Sequence, residues 1–189
     1  MKRNRIVTLI LCLVLTALLV GCGANKTNGQ SDASASKTEA NAGLANPVVE
    51  YPTLAEAEKA IGFSFTVPEG VVVDENDFSQ YYYSVVNGDL LEVRYGSTGD
   101  EVCYMRKAAS QKDVEDISGD YNVYDDVKEE DVVLENGQSY EVTLKGKDGK
   151  YYLALWQRKG TEDNGVWTYA IGIRGVSAEE LLELVKMVE

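Results

Sequence analysis

Three dipeptides, Asn87-Gly88, Asn136-Gly137 and Asp148-Gly149, each separate stretches of β-prone residues. Asn-Gly and Asp-Gly are the strongest short hairpin signals, because a type I′ turn needs positive φ at both central positions. A tight hairpin can join only antiparallel strands, so this punctuation restricts the fold more than any other feature of the chain. The flanking runs alternate with a period of two. Leu91, Val93 and Tyr95 share a face opposite Glu92 and Arg94, and Tyr140, Val142 and Leu144 oppose Glu141, Thr143 and Lys145. Trp167, Tyr169, Ile171 and Ile173 likewise oppose Thr168, Ala170 and Gly172. Alternation of this kind marks antiparallel sheets with one buried face.

The same reading predicts strands over residues 63–67, 71–73, 80–86, 90–95, 101–107, 121–127, 131–135, 139–145, 150–158 and 166–173. A brief acidic, helical stretch is expected within residues 108–120. Two capping boxes frame the remainder. Thr53 with Glu56 opens a helix over residues 54–61 that stops at Gly62, and Ser177 with Glu180 opens a final one. Leu54, Ala57 and Ile61 form the stripe of the first helix, and Leu181, Leu184, Val185 and Val188 that of the second. The expected fold class is α+β: a curved antiparallel sheet of about seven to eight strands, with an N-terminal and a C-terminal helix packed on one face.

The chain opens with Lys2, Arg3 and Arg5, an apolar run over residues 6–20, and then Leu19-Val20-Gly21-Cys22. A positive start, a short apolar segment and a small residue at the cut describe a secretory signal. The run falls short of the ~20 apolar residues that a spanning helix needs. A cysteine directly after the small residue resembles the lipobox of bacterial lipoproteins. That resemblance implies a diacylglyceryl (palmitate-type) group on Cys22 and cleavage between Gly21 and Cys22. Two acyl chains hold a protein stably on a leaflet, whereas one is marginal. Residues 1–21 are then a lipoprotein signal peptide and residues 22–50 a lipidated cysteine with a flexible tether, poor in aromatics. Residues 51–189 form a single domain. The expected location is the cell membrane or cell surface, lipid-anchored on the extracytoplasmic side.

Removing Lys2, Arg3 and Arg5 with the signal takes the formal charge from −13 to −16. Such an anion disfavours nucleic acid, whose phosphates demand a basic patch, and opposes flat contact with anionic lipid. Of the three cysteines, Cys12 leaves with the signal and Cys22 carries the lipid. Cys103 remains as a lone, buried small hydrophobe. There is no histidine, which removes histidine-based triads, the Cys-His pair and histidine-ligated zinc. Oxygen-ligated metals stay open. The densest acidic run, Asp125, Asp126, Glu129, Glu130 and Asp131, lacks the glycine and spacing of an EF-hand loop and reads as a solvated strand edge. Glu162, Asp163 and Asn164 beside Gly165 read as a hairpin loop. No metal and no cofactor is expected.

Aromatic residues supply the binding candidates. Tyr81, Tyr82 and Tyr83 place rings on both faces of one strand, as do Tyr151, Tyr152 and Trp156 on another. Strand aromatics serve cross-strand packing or, on a curved sheet, a ligand face where rings meet sugar or acyl chains. The candidate ligand face is Tyr81, Tyr82, Tyr83, Tyr152 and Trp156.

Tyr51-Pro-Thr-Leu-Ala-Glu-Ala-Glu-Lys-Ala-Ile-Gly-Phe63 followed by Val67-Pro-Glu-Gly70 resembles the opening of a bacterial family catalogued as a domain of unknown function, number 4367. Ile117-Ser-Gly-Asp-Tyr121 and the stretch from Tyr169 through Val176-Ser-Ala-Glu-Glu-Leu-Leu182 fit the same pattern. The resemblance implies tethering to the cell surface by lipid or a membrane helix, and it carries no activity. The order of sheet and helices is also similar to the half-barrel of lipoprotein-carrier proteins. The leading expectation is a monomeric, non-enzymatic, lipid-anchored module that binds an envelope protein or small ligand. The alternatives are a lipid- or lipoprotein-carrier-like chaperone with a concave apolar sheet face, and a cell-envelope hydrolase using paired carboxylates.

Overall fold

In a computed structural model, residues 47–109, 117–134, 137–160 and 165–189 are described. Among them are nine strands and two helices, an open antiparallel α+β arrangement. In chain order these are β1 (Val48–Tyr51), α1 (Leu54–Ile61), β2 (Gly70–Val73), β3 (Asn76–Val86), β4 (Leu90–Ser97) and β5 (Asp100–Ala109). They continue with β6 (Asp126–Val133), β7 (Ser139–Lys147), β8 (Lys150–Lys159), β9 (Val166–Val176) and α2 (Ala178–Lys186). The strands follow the order β1-β3-β4-β5-β9-β8-β7-β6, with β2 also paired to β3.

Turn chemistry sets this register. Asn87 and Gly88 have φ of 55° and 77°, and Asp148 and Gly149 have 55° and 74°. Positive φ at both positions is the type I′ signature. Asp74 and Glu75 repeat it at 50° and 63° without a glycine, joining Val73 to its partner Asn76. Asn136 lies outside the described residues; Gly137 has φ of 80°.

Alternation then sorts the side chains. Leu91, Val93, Tyr95, Met105, Ile171, Trp156, Val142 and Leu144 belong to one buried cluster together with Ala57 of α1 and Leu181 and Val185 of α2. α1 contacts β1, β3 and β4, whereas α2 contacts β8 and β9. Each fully buried Leu or Val contributes about 1.5–3 kcal/mol of transfer free energy, so the helices are held by packing more than by their caps. Ser177 and Glu180 complete a reciprocal capping box. At the other end Thr53 accepts from the Glu56 amide, and the N–H of Gly62 donates to Glu58 at 2.8 Å. Cys103 is fully buried in the same cluster.

Several sequence expectations change. Residues 63–67 alternate but form no strand. Thr66 exchanges backbone bonds of 2.9 and 3.0 Å with Glu189, and Phe65 donates its N–H to Glu58 Oε1 at 2.6 Å. A single strand, β6, replaces the two expected over residues 121–127 and 131–135. Tyr121 and Val123 are 94% and 85% exposed, so their apolar character reflects no buried face. The acidic run occupies β6, which ends the strand order, as a solvated edge. Val48, Val49 and Glu50, counted with the tether, pair with Val86, Val85 and Ser84.

One consequence of the order positions the site. β5 neighbours β9, whereas β6 lies beyond β8 and β7. Ile117 is fully buried against Leu90, Ala108, Leu153, Leu155 and Ala170, which alternate with the helix-side residues. Residues 117–124 thus strap the face that carries this second, smaller cluster.

Candidate binding site

A buried charge network anchors the strap. Glu92 on β4 is 1% exposed. Its Oε1 accepts from Arg94 Nε at 2.6 Å and from Ser84 Oγ at 3.4 Å. Its Oε2 accepts from Arg106 Nε at 2.6 Å and pairs with Arg106 Nη2. Arg94 passes its second nitrogen to Glu101 at 2.9 Å, so two carboxylates balance two guanidiniums. Arg106 then reaches outward: Nη1 donates to the carbonyls of Ile117 (3.0 Å) and Ser118. Its guanidinium lies 4.5 Å over the Tyr104 ring, and the Tyr104 hydroxyl donates to the same Ser118 carbonyl at 2.8 Å. A buried carboxylate survives only when paired and hydrogen-bonded throughout, and here the pairing doubles as a clasp on the strap.

Beside the strap lies a hollow of about 320 Å³, lined by Tyr104, Tyr124, Tyr152, Asp120, Asn122 and Arg174 among others. Two glycines of β9 make room for its walls. A Cβ at Gly172 would collide with the hydroxyl-bearing edge of the Tyr104 ring, and one at Gly175 would sit 2.7 Å from the Tyr152 ring. The β8–β9 register shifts between Tyr151 and Leu153, which sets Tyr152 in the irregularity. Bulges commonly re-aim a side chain in this way. Tyr152 stacks on Tyr124, with centroids 6.0 Å apart and planes at 25°.

The rim is polar and carries both signs. Asp120 Oδ1 accepts from the backbone and side-chain nitrogens of Asn122, both at 2.8 Å, and Oδ2 accepts from the Tyr124 hydroxyl at 2.5 Å. Burial, with Asp120 adding to it, pushes the Tyr124 phenol up to about 12, so it remains a neutral donor. Arg174 is half exposed and pairs with Asp100. Flat apolar walls beneath an array of donors and acceptors suit a small ligand with one apolar face and several hydroxyls.

Of the five aromatic residues proposed from sequence as a ligand face, Tyr152 alone lines this hollow. Tyr81 and Tyr82 lie on β3 at a register shift, which brings their rings within 6.2 Å of each other. Tyr82 donates to Glu50 at 3.2 Å and carries the Arg94 guanidinium 5.1 Å above its ring. Tyr83 packs against the helix-side cluster and donates to Gln80 at 3.2 Å. Trp156 is 2% exposed, stacked between Tyr169 (5.1 Å) and Tyr140 (6.5 Å). It is a core residue. Gly21, Cys22, Glu162, Asp163 and Asn164 lie outside the described residues. Sequence reasoning passed over Tyr104, Tyr124, Asp120 and Arg174. The signal that could have found them is the pair of glycines inside β9, since glycine within a strand marks a close approach.

A second polar island lies on the helix side. Lys107 on β5 is 7% exposed. Its Nζ donates to the Ser64 carbonyl at 2.8 Å. Around it lie Trp167 at 4.9 Å, Tyr169 at 5.5 Å, Phe63 at 5.8 Å and Phe65 at 5.9 Å. Burial, then the Arg158 charge, pulls its pKa down to about 8.

Among the described residues no group of three or more metal-ligating side chains occurs, and no helix is long and apolar enough to cross a membrane. No family model, curated protein or solved structure matches the chain.

Proposed function

We propose that the chain is a lipid-anchored extracytoplasmic binding module whose tyrosine hollow takes a small polyhydroxylated ligand, an envelope saccharide by class. In this reading Cys22 carries the lipid, a tether leads from it to the folded body, and the protein works as a non-enzymatic monomer. The sheet curls over both helices on one face, which leaves the strapped face for binding. Kinship with the domain-of-unknown-function family named above belongs to the same proposal.

The observation that carries the reading is the stacked pair Tyr124 and Tyr152 beneath Asp120, Asn122 and Arg174. A sugar ring offers apolar C–H groups to an aromatic face and hydroxyls to a mixed rim. The acidic balance of the chain agrees, because a neutral saccharide meets no electrostatic penalty while anionic lipid and nucleic acid do.

The test is saturation-transfer NMR of the full-length protein against neutral and N-acetylated oligosaccharides from cell envelopes. Transfer to sugar protons, lost in Tyr152→Ala, is the expected result. Absence of transfer from every saccharide at millimolar concentration, or an unchanged signal in Tyr152→Ala, would overturn the saccharide assignment. The anchor has its own test: a Cys22→Ser protein that stays on membranes as firmly as the parent would refute lipidation.

A further inference from the structure

A second recess, of about 710 Å³, lies between β2 and α2. Its apolar residues are Val71, Val72, Val176, Leu184 and Met187. Val71 and Val176 are buried, but Val72 and Met187 are 60% and 51% exposed, so apolar surface continues out of the recess to the molecular surface. The volume lies within the range of roughly 300–1,000 Å³ that takes compact side chains or ligands. Contiguous exposed apolar surface on an otherwise charged chain marks an interaction site.

The rim decides what fits. Asp74 and Glu75 stand at the β2–β3 turn, and Glu179, Glu180 and Glu183 run along α2, against Lys150 as the one cation lining the recess. Glu180 is committed to the Ser177 cap and Glu183 to Lys186. Asp74, Glu75 and Glu179 are all exposed, and among the described residues none of the three makes an ion pair. The turn adds rigidity of placement: both acids hold positive φ, 50° and 63°, in a two-residue loop that fixes them at the mouth.

We infer that this recess docks a basic amphipathic segment of a partner protein, its apolar side chains entering between β2 and α2 and its lysines or arginines meeting Asp74, Glu75 and Glu179. Charge excludes the other occupants. A second copy of the chain brings a further −13 to an already acidic rim, and an anionic leaflet repels it in the same way. Gly175 borders both this recess and the tyrosine hollow, but no side chain lines the two together, so a substitution in one leaves the walls of the other in place.

The probe is a short peptide of leucine and lysine, patterned to be apolar on one face, titrated into full-length protein in a neutral detergent. Its binding is read by fluorescence anisotropy and by methyl NMR. Shifts at Val72, Leu184 and Met187 are expected, with affinity about tenfold weaker in Glu75→Lys/Glu179→Lys and about fivefold weaker in Met187→Ala. All three positions are exposed, so each variant keeps the parental circular dichroism; should the double variant not, Met187→Ala alone carries the test. The proposal is overturned if an oligolysine without leucine binds as tightly, or if the variants bind as the parent does. Peptide-resistant self-association in light scattering, in the same detergent, overturns it equally.

Discussion

Replacing Lys107 with methionine removes a charge that the fold holds at a cost. The folded pKa of about 8 lies below the ordinary 10.5 because the ammonium is buried among rings and faces Arg158. Between those two values the unfolded chain binds more protons than the folded one, so stability rises with pH across the window. Below pH 8 the penalty is present in full; above 10.5 it is gone. At about 1.4 kcal/mol per pH unit the whole span is worth about 3 kcal/mol, and about 2.5 kcal/mol of it is regained by pH 10. Methionine fills a similar volume without a proton to lose, so Lys107→Met does not show this rise. Buried tyrosines act with the opposite sign. Tyr169, held up at about 12 mainly by burial, makes the fold lose stability as pH climbs past 10. That contribution is common to both proteins and cancels in their difference. The assay is urea unfolding at pH 7, 8, 9 and 10, followed by the fluorescence of Trp156 and Trp167, with equal m-values as the check on two-state behaviour. The stability of the parent relative to Lys107→Met should climb by about 2.5 kcal/mol from pH 7 to pH 10. A difference that stays flat within about 0.5 kcal/mol would show that the amine is hydrated in solution, and the reasoning would fail.

Other expectations test the strap and the core. Glu92→Gln leaves Arg106 and Arg94 under-compensated at a buried site and should cost about 3–5 kcal/mol in urea unfolding. Tyr104→Phe removes the bond to the Ser118 carbonyl, about 1 kcal/mol, and should speed amide exchange of residues 117–124 while sparing that of β4. Gly172→Ala displaces the Tyr104 ring and should cost about 1–3 kcal/mol as an overpacked site, with weaker saccharide binding in the same sample. The Cys103 thiol, pushed far up by burial, should react with a thiol reagent at the rate of global unfolding, slowing as stabilising osmolyte is added.

Elements whose signals are local were legible in the sequence. The span of α1 and both of its stops follow from Thr53, the periodic Leu54, Ala57 and Ile61, and Gly62. The turns at Asn87-Gly88 and Asp148-Gly149 follow from their φ demands. The face holding Leu91, Val93 and Tyr95 follows from the pleat. Failures came where a non-local partner decides the outcome. Phe63 and Phe65 alternate with Ser64 as a strand would, yet Thr66 bonds to Glu189, a residue far away in sequence. The Asp74-Glu75 turn carries no glycine, so the β2–β3 hairpin gave no punctuation to read. Trp156 and Tyr152 are near neighbours in one run, but the irregularity at Tyr152 sends one to the hollow and leaves the other in the core. Glu92 reads as a polar position on the face of β4 away from Leu91, Val93 and Tyr95. The strand order, which no local pattern encodes, draws residues 117–124 over that face and buries Glu92 with Arg106 bound to it.

β6 ends the strand order with Val127 and Val133 largely bare. An unpaired strand of that kind invites edge-to-edge growth whenever many copies crowd together. Asp126, Glu129, Glu130 and Asp131 charge that border, with Lys128 the lone cation between Val127 and Val133. Two such borders brought side by side would bring carboxylate against carboxylate, a charge barrier that opposes zipping into filaments.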